Sequence, residues 1–130
     1  MISMTKTMES KYKYFTAEEF LKCTPPSPIE GVSESLLNKL DQAREIAGIP
    51  FVINSAIRSS AFERVRGRSG SSSHVSGKAV DIRCIDSASR YAILTALIMV
   101  GFTRIGIYPR HIHVDVDNDK SQKVVFLGDY

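Results

Sequence analysis

The stretch His111-Ile112-His113-Val114-Asp115-Val116-Asp117 alternates more cleanly than any other in the chain. Side chains of an extended strand point to opposite faces in turn. His111, His113, Asp115 and Asp117 therefore share one face, and Ile112, Val114 and Val116 share the other. The apolar face suits a core; two histidines and two aspartates do not. Arg104 to Tyr108 reads as the strand before it, stopped by Pro109. Lys123 to Leu127 reads as a last strand. These three lie close enough in sequence to pair antiparallel. Upstream, Ala79, Asp81 and Arg83 alternate with Val80, Ile82 and Cys84. Paired in one sheet, the two alternating strands bring Asp81 beside His113.

The earlier residues are helical. In Phe15-Thr16-Ala17-Glu18-Glu19-Phe20, Thr16 is placed to cap and Glu19 to complete a capping box. Phe15 and Phe20 stand at the two positions of a hydrophobic staple. Pro25, Pro26 and Pro28 keep that helix short. Ser33 to Ala47 carries Leu36, Leu37, Leu40, Ala43, Ile46 and Ala47 at the spacing of one buried helical face. Gly48 and Pro50 end it. Phe51-Val52-Ile53 reads as a buried strand ending near Asn54-Ser55. Asp86 or Ser87 caps a second long helix that runs to about Val100, with Gly101 behind it. Helices first, then strands with one helix among them, predict an α+β fold: a small antiparallel sheet covered on one face by helices. Residues 1–14 are expected to be a flexible arm and 15–130 a single domain.

Composition narrows the function. The 130 residues are 43% hydrophobic and 24% charged, with a mean hydropathy of −0.08. That is ordinary globular chemistry for one domain. The longest apolar run, Ala92 to Gly101, is broken by Thr95 and is too short for a membrane span. Seventeen Lys and Arg against fourteen Asp and Glu leave a net charge of +3, too weak to imply nucleic acid. Arg58 and, within the irregular stretch Ser59 to Ser76, Arg64, Arg66 and Arg68 form a basic run with Phe62 as its only aromatic residue, so no nucleic-acid partner is expected. Cys23 and Cys84 make no disulfide scaffold. Cys84 alternates onto the apolar face, and Cys23 before the prolines is expected to be half-buried. The segment Met1 to Ser10 has no apolar core of a secretory signal, so cytoplasmic synthesis is expected.

All three histidines fall on two segments, His74 on the loop into Ala79–Cys84 and the others on the alternating strand. Two imidazoles and a carboxylate suit Zn²⁺ with the fourth position open, the arrangement of a catalytic zinc. Spacing alone leaves solvent-facing strands equally open.

His74-x-x-Gly77-x-Ala79-x-Asp81 followed by His111-x-His113 resembles the zinc DD-peptidase family. That family contains D-Ala-D-Ala carboxypeptidases and phage L-alanyl-D-glutamate endopeptidases of the hedgehog/DD-peptidase fold. Ile53-Asn54-Ser55-Ala56-Ile57-Arg58-Ser59 looks like its strand-then-arginine segment, and Gly106-Ile107-Tyr108-Pro109 leading into His113-Val114-Asp115 looks like its closing strands. The likeness runs from about residue 15 to 130 in the same order. It implies that His74, Asp81 and His113 hold zinc, and that Arg58 faces the substrate. Arg58's planar donors suit a peptide carboxylate or a scissile carbonyl; a surface arginine on a loop is the other reading. Gly77 permits close backbone approach where the chain turns into the strand. Ala79 leaves room beside the metal.

One position departs from the family. Many members carry a carboxylate three residues before the last ligand, as general base; here Arg110 stands there. His111, on the ligand's side of the strand, is the expected base or transition-state stabiliser, or else an outer histidine. Asp115 is placed to accept a hydrogen bond from a ligand imidazole and fix its tautomer. The expectation is a monomeric zinc peptidase cutting peptide stems of bacterial peptidoglycan, reaching the wall by release or export. The alternative is a catalytically silent module that binds cell-wall peptide or a protein partner.

Overall fold

The structure, a computed structural model, describes residues 12–58 and 72–129. Residues 1–11 of the expected arm lie outside that range, as do Phe62, Arg64, Arg66 and Arg68 of the basic run. The chain enters by pinning itself to a helix. The backbone N–H groups of Lys13 and Tyr14 each donate to one oxygen of the Asp41 carboxylate, at 2.8 Å.

Helix α1 spans Ala17–Leu21. Thr16 Oγ1 accepts from the Glu19 N–H at 3.2 Å, and the Phe15 and Phe20 rings stand 6.1 Å apart. The cap and staple of the sequence are thus present. The Glu19 carboxylate lies 3.5 Å from the Arg44 guanidinium, joining α1 to the next helix. A short 3₁₀ turn, Ile29–Gly31, leads into α2, Glu34–Ala47. Ser33 caps α2 through the Leu36 N–H, and Gly48 closes it in the left-handed conformation at φ 72°. Helix α3, Ser87–Met99, is capped by the Asp86 carboxylate on the Ser89 N–H. Among the described residues no helix is long and apolar enough to cross a membrane.

The strands are β1 (Ile53–Ser55), β2 (Ala79–Arg83), β3 (Arg104–Ile107), β4 (His111–Asp115) and β5 (Val124–Leu127). Their order in the sheet is β1-β2-β4-β3-β5. Val52, expected inside β1, precedes it and is exposed, whereas Phe51 is fully buried. The pairs β1–β2, β2–β4 and β3–β4 are antiparallel, but β5 runs parallel to β3. The sheet is therefore mixed, and the expectation of an all-antiparallel sheet is corrected at its last strand. The reason is edge availability. Strand β4 has β2 on one side and β3 on the other, so the returning chain takes the free edge of β3, a strand it matches in direction.

Val80, Ile82, Ile105, Ile112 and Val114 pack with Leu36, Leu37 and Leu40 of α2 and with Ile93, Ala96 and Leu97 of α3 in one buried cluster. Burial of such side chains is the main stabilising contribution. Cys84 belongs to this cluster, and so does Cys23, more deeply than expected at 3% exposed. The helices cover that face. The opposite face of β2 and β4 carries Asp81, His113 and Asp115.

Candidate metal centre

Pairing of β2 with β4 places Asp81 directly opposite His113, Arg83 opposite His111 and Ala79 opposite Asp115. The alternation of both strands then puts Asp81 and His113 on one face. His74 arrives on the turn before β2. Its position is set where that turn meets the segment after β1. The Arg58 N–H donates to the His74 carbonyl at 3.2 Å, and His74 Nδ1 donates to the Ala56 carbonyl at 2.6 Å.

Gly77 makes this turn possible. Its φ is 72°, and a Cβ there would lie 2.1 Å from the Gly31 carbonyl oxygen. The Gly77 carbonyl in turn accepts from the Ser33 N–H, the cap residue of α2, at 2.8 Å. The close approach expected of this glycine is what the fold uses.

Asp81 divides its carboxylate. Oδ1 lies 3.2 Å from His74 Nε2 and 3.2 Å from His113 Nδ1. Oδ2 accepts from Arg58 Nη2 at 2.6 Å and lies 3.8 Å from His111 Nε2. Burial alone would raise the Asp81 pKa, but hydrogen bonds and charge from His113 and His74 hold it well below the carboxylate range.

In each ring the nitrogen turned away from Asp81 has a hydrogen-bond acceptor of its own, which sets the tautomer of the neutral imidazole. A backbone carbonyl only accepts, so His74 Nδ1 carries a hydrogen; in the neutral ring, the form that binds a metal, Nε2 presents its lone pair. Asp115 Oδ2 likewise accepts from His113 Nε2 at 2.7 Å, leaving Nδ1 to face Asp81. Two imidazole lone pairs and a carboxylate oxygen thus converge, with all three atoms within 4.8 Å of one another. Such a set of atoms at one point could hold a cation. Burial works against charge on His113, but hydrogen bonds and charge from Asp115 and Asp81 raise its pKa above the ordinary histidine value. Donors around a tetrahedral zinc at ~2.0–2.2 Å stand roughly 3.3–3.5 Å apart, and the two 3.2 Å separations from Asp81 Oδ1 are close to that spacing.

The remaining expected residues fall around this point. Arg58 is buried at 6% exposed, with Nε donating to Ser55 Oγ at 2.9 Å. The surface-loop reading of Arg58 is therefore excluded. Asp115 is buried; besides His113 it accepts from Arg104 Nε at 3.0 Å, and its Oδ1 accepts from the Asp117 N–H. His111 stacks on the Tyr108 ring with centroids 4.4 Å apart. Burial, above all, lowers the His111 pKa, with Asp81 acting in the other direction. Arg110 is exposed in the turn before β4.

A cleft of about 160 Å³ opens over His74 and His113, lined also by Arg58, Ser72, Ser73, Arg104, Tyr108, Asp115, Lys120 and Phe126. The sequence reading missed Arg104, Tyr108 and Phe126. A signal existed for two of them: Arg104 and Tyr108 alternate with Ile105 and Ile107. Phe126 depends on the parallel pairing of β5. It stands opposite Gly106, which stands opposite His113. A Cβ on Gly106 would lie 2.4 Å from the Phe126 ring, so only glycine lets that ring pass over to His113, with centroids 5.8 Å apart.

A protein-family model described as Peptidase M15 matches residues 13–117, most of the chain and every residue of the His-Asp-His group. No curated protein and no solved structure matches the chain.

Proposed function

The chain belongs to the peptidase M15 family, and on that premise we propose a zinc-dependent enzyme that hydrolyses peptide stems of bacterial peptidoglycan. It acts as a D-Ala-D-Ala carboxypeptidase or an L-Ala-D-Glu endopeptidase, as a monomer, at the wall after release or export. The observation that carries the reading is the convergence of His74 Nε2, Asp81 Oδ1 and His113 Nδ1.

His74, Asp81 and His113 would hold Zn²⁺, and three protein ligands would leave a position for water or substrate. When bound, the ion lowers the pKa of water toward ~7 and polarises a carbonyl. The protein's own groups do the rest. Asp115 keeps the hydrogen of His113 on Nε2. Arg58 lines the cleft and orients the substrate through a carboxylate or the scissile carbonyl. His111, on the same strand face, takes and returns a proton at Nε2, in the role a carboxylate at Arg110 would fill.

That same Arg110 favours the second reading, a silent binding module. Zymography on peptidoglycan, with mass spectrometry of the released muropeptides, separates the two. Clearing that a chelator abolishes and zinc restores supports the enzyme, and the product masses name the bond. Zinc-loaded protein that clears nothing supports the module.

A further inference from the structure

We propose that Ser73 and Asp117 form a clamp that sets His74 at its distance from His113. The inference rests on the zinc reading above. Ser73 Oγ donates to Asp117 Oδ2 at 2.8 Å across 44 positions of sequence. Both residues are buried, at 2% and 7% exposed. Ser73 is the neighbour of His74, and Asp117 continues the chain of β4 beyond Asp115. The bond therefore ties the turn bearing one imidazole to the strand bearing the other.

Asp117 reaches both sides of the site. Its side chain holds Ser73. Its backbone N–H donates to Asp115 Oδ1 at 3.0 Å, and Asp115 Oδ2 accepts from His113 Nε2. A backbone ladder runs beside the clamp: Lys78 N–H to the Ser73 carbonyl at 3.0 Å, and Val116 N–H to the Lys78 carbonyl at 3.0 Å. That ladder keeps the turn folded without the side-chain bond. Neither Ser73 nor Asp117 belongs to the converging metal-binding group, so both act on the metal through the ligands they hold, as positioning residues. Groups bonded directly to a ligand imidazole typically change metal affinity by about 10–100-fold, and the clamp, one step further out, acts at the low end of that range.

The test is the zinc dissociation constant, measured by chelator competition, beside the melting temperature of metal-free protein. Ser73→Ala and Asp117→Ala each weaken zinc about tenfold or more. The double variant is no weaker than the worse single one, because the pair acts as a unit. Metal-free melting temperatures fall by the several degrees that one lost buried hydrogen bond costs, with the chain still folded. Asp117→Asn separates position from charge: it keeps an acceptor for Ser73 but loses the negative charge that Lys120 approaches at 3.8 Å, and it binds zinc like the wild type. Should the alanine variants not fold, Ser73→Thr and Ser73→Val form a size-matched pair, of which only threonine keeps the affinity.

Single variants that bind zinc as tightly as wild type overturn the clamp. So do effects that add in the double variant, or an Asp117→Asn variant as weak as Asp117→Ala. Those outcomes leave the functional reading intact. Wild-type protein that takes up no zinc contradicts the functional reading itself and the clamp with it.

Discussion

Asp81 on β2 and His113 on β4 are direct cross-strand partners, with Asp81 Oδ1 3.2 Å from His113 Nδ1. A single register decision of the sheet makes this pair. A slip by one residue would turn either side chain into the apolar layer beneath. The site is thereby coupled to the packing of Val80, Ile82, Ile112 and Val114, which fixes that register.

Removing the carboxylate behind His113 loosens the metal without abolishing its site. Asp115→Ala deletes the acceptor for His113 Nε2 and Arg104 Nε. Zinc affinity falls roughly 10–100-fold, read by chelator competition. His113→Ala, which deletes a ligand, loses stoichiometric zinc.

His111 separates chemistry from metal binding. Its Nε2 lies 3.8 Å from Asp81 Oδ2, outside the converging group. His111→Ala keeps one zinc per chain and lowers kcat about 10²-fold or more. The check is steady-state cleavage of a defined muropeptide beside metal analysis of the same sample.

Two glycines of equal φ carry different costs. Gly48 and Gly77 both stand at φ 72°, but nothing lies within 4 Å of a Cβ on Gly48, whereas the Gly31 carbonyl blocks one on Gly77. Gly48→Ala costs about 1–2 kcal/mol of backbone strain. Gly77→Ala adds a backbone collision and costs roughly 3 kcal/mol or more. Urea unfolding of the two variants measures the difference.

Burial of Cys23, helped by the charge of Glu19, pushes its thiol up from 9.0 to about 11. At neutral pH it is protonated and reacts with iodoacetamide only as fast as the protein opens. The sign of the stability effect follows. The unfolded chain releases this proton at lower pH than the folded one, so the contribution is complete below pH 9.0 and is lost as pH rises toward about 11. Replacing Cys23 with Ala flattens stability over that window, as read from denaturant midpoints.

Features carried by local pattern were legible in the sequence. Thr16 and Asp86 cap because a short polar side chain satisfies the first turn's free N–H groups, whatever surrounds the helix. The alternation of β4 announced its polar face, and the pairing with Asp81 followed from joining two such strands. The direction of β5 was not legible, because alternation fixes faces and says nothing about which edge a returning chain finds free. Phe126 went unseen for that reason. Arg58 offered two environments in sequence, and only the fold, which closes Ser55, His74 and Asp81 around it, decides for burial. The Ser73–Asp117 bond joins residues 44 positions apart through geometry that no local signal encodes.

Zinc analysis of purified wild-type protein and of the His74→Ala, Asp81→Ala and His113→Ala variants bears most directly on the account. One zinc per wild-type chain, lost in each folded variant, is the predicted result. A wild-type chain without zinc, or an Asp81→Ala variant that keeps it in full, contradicts the account.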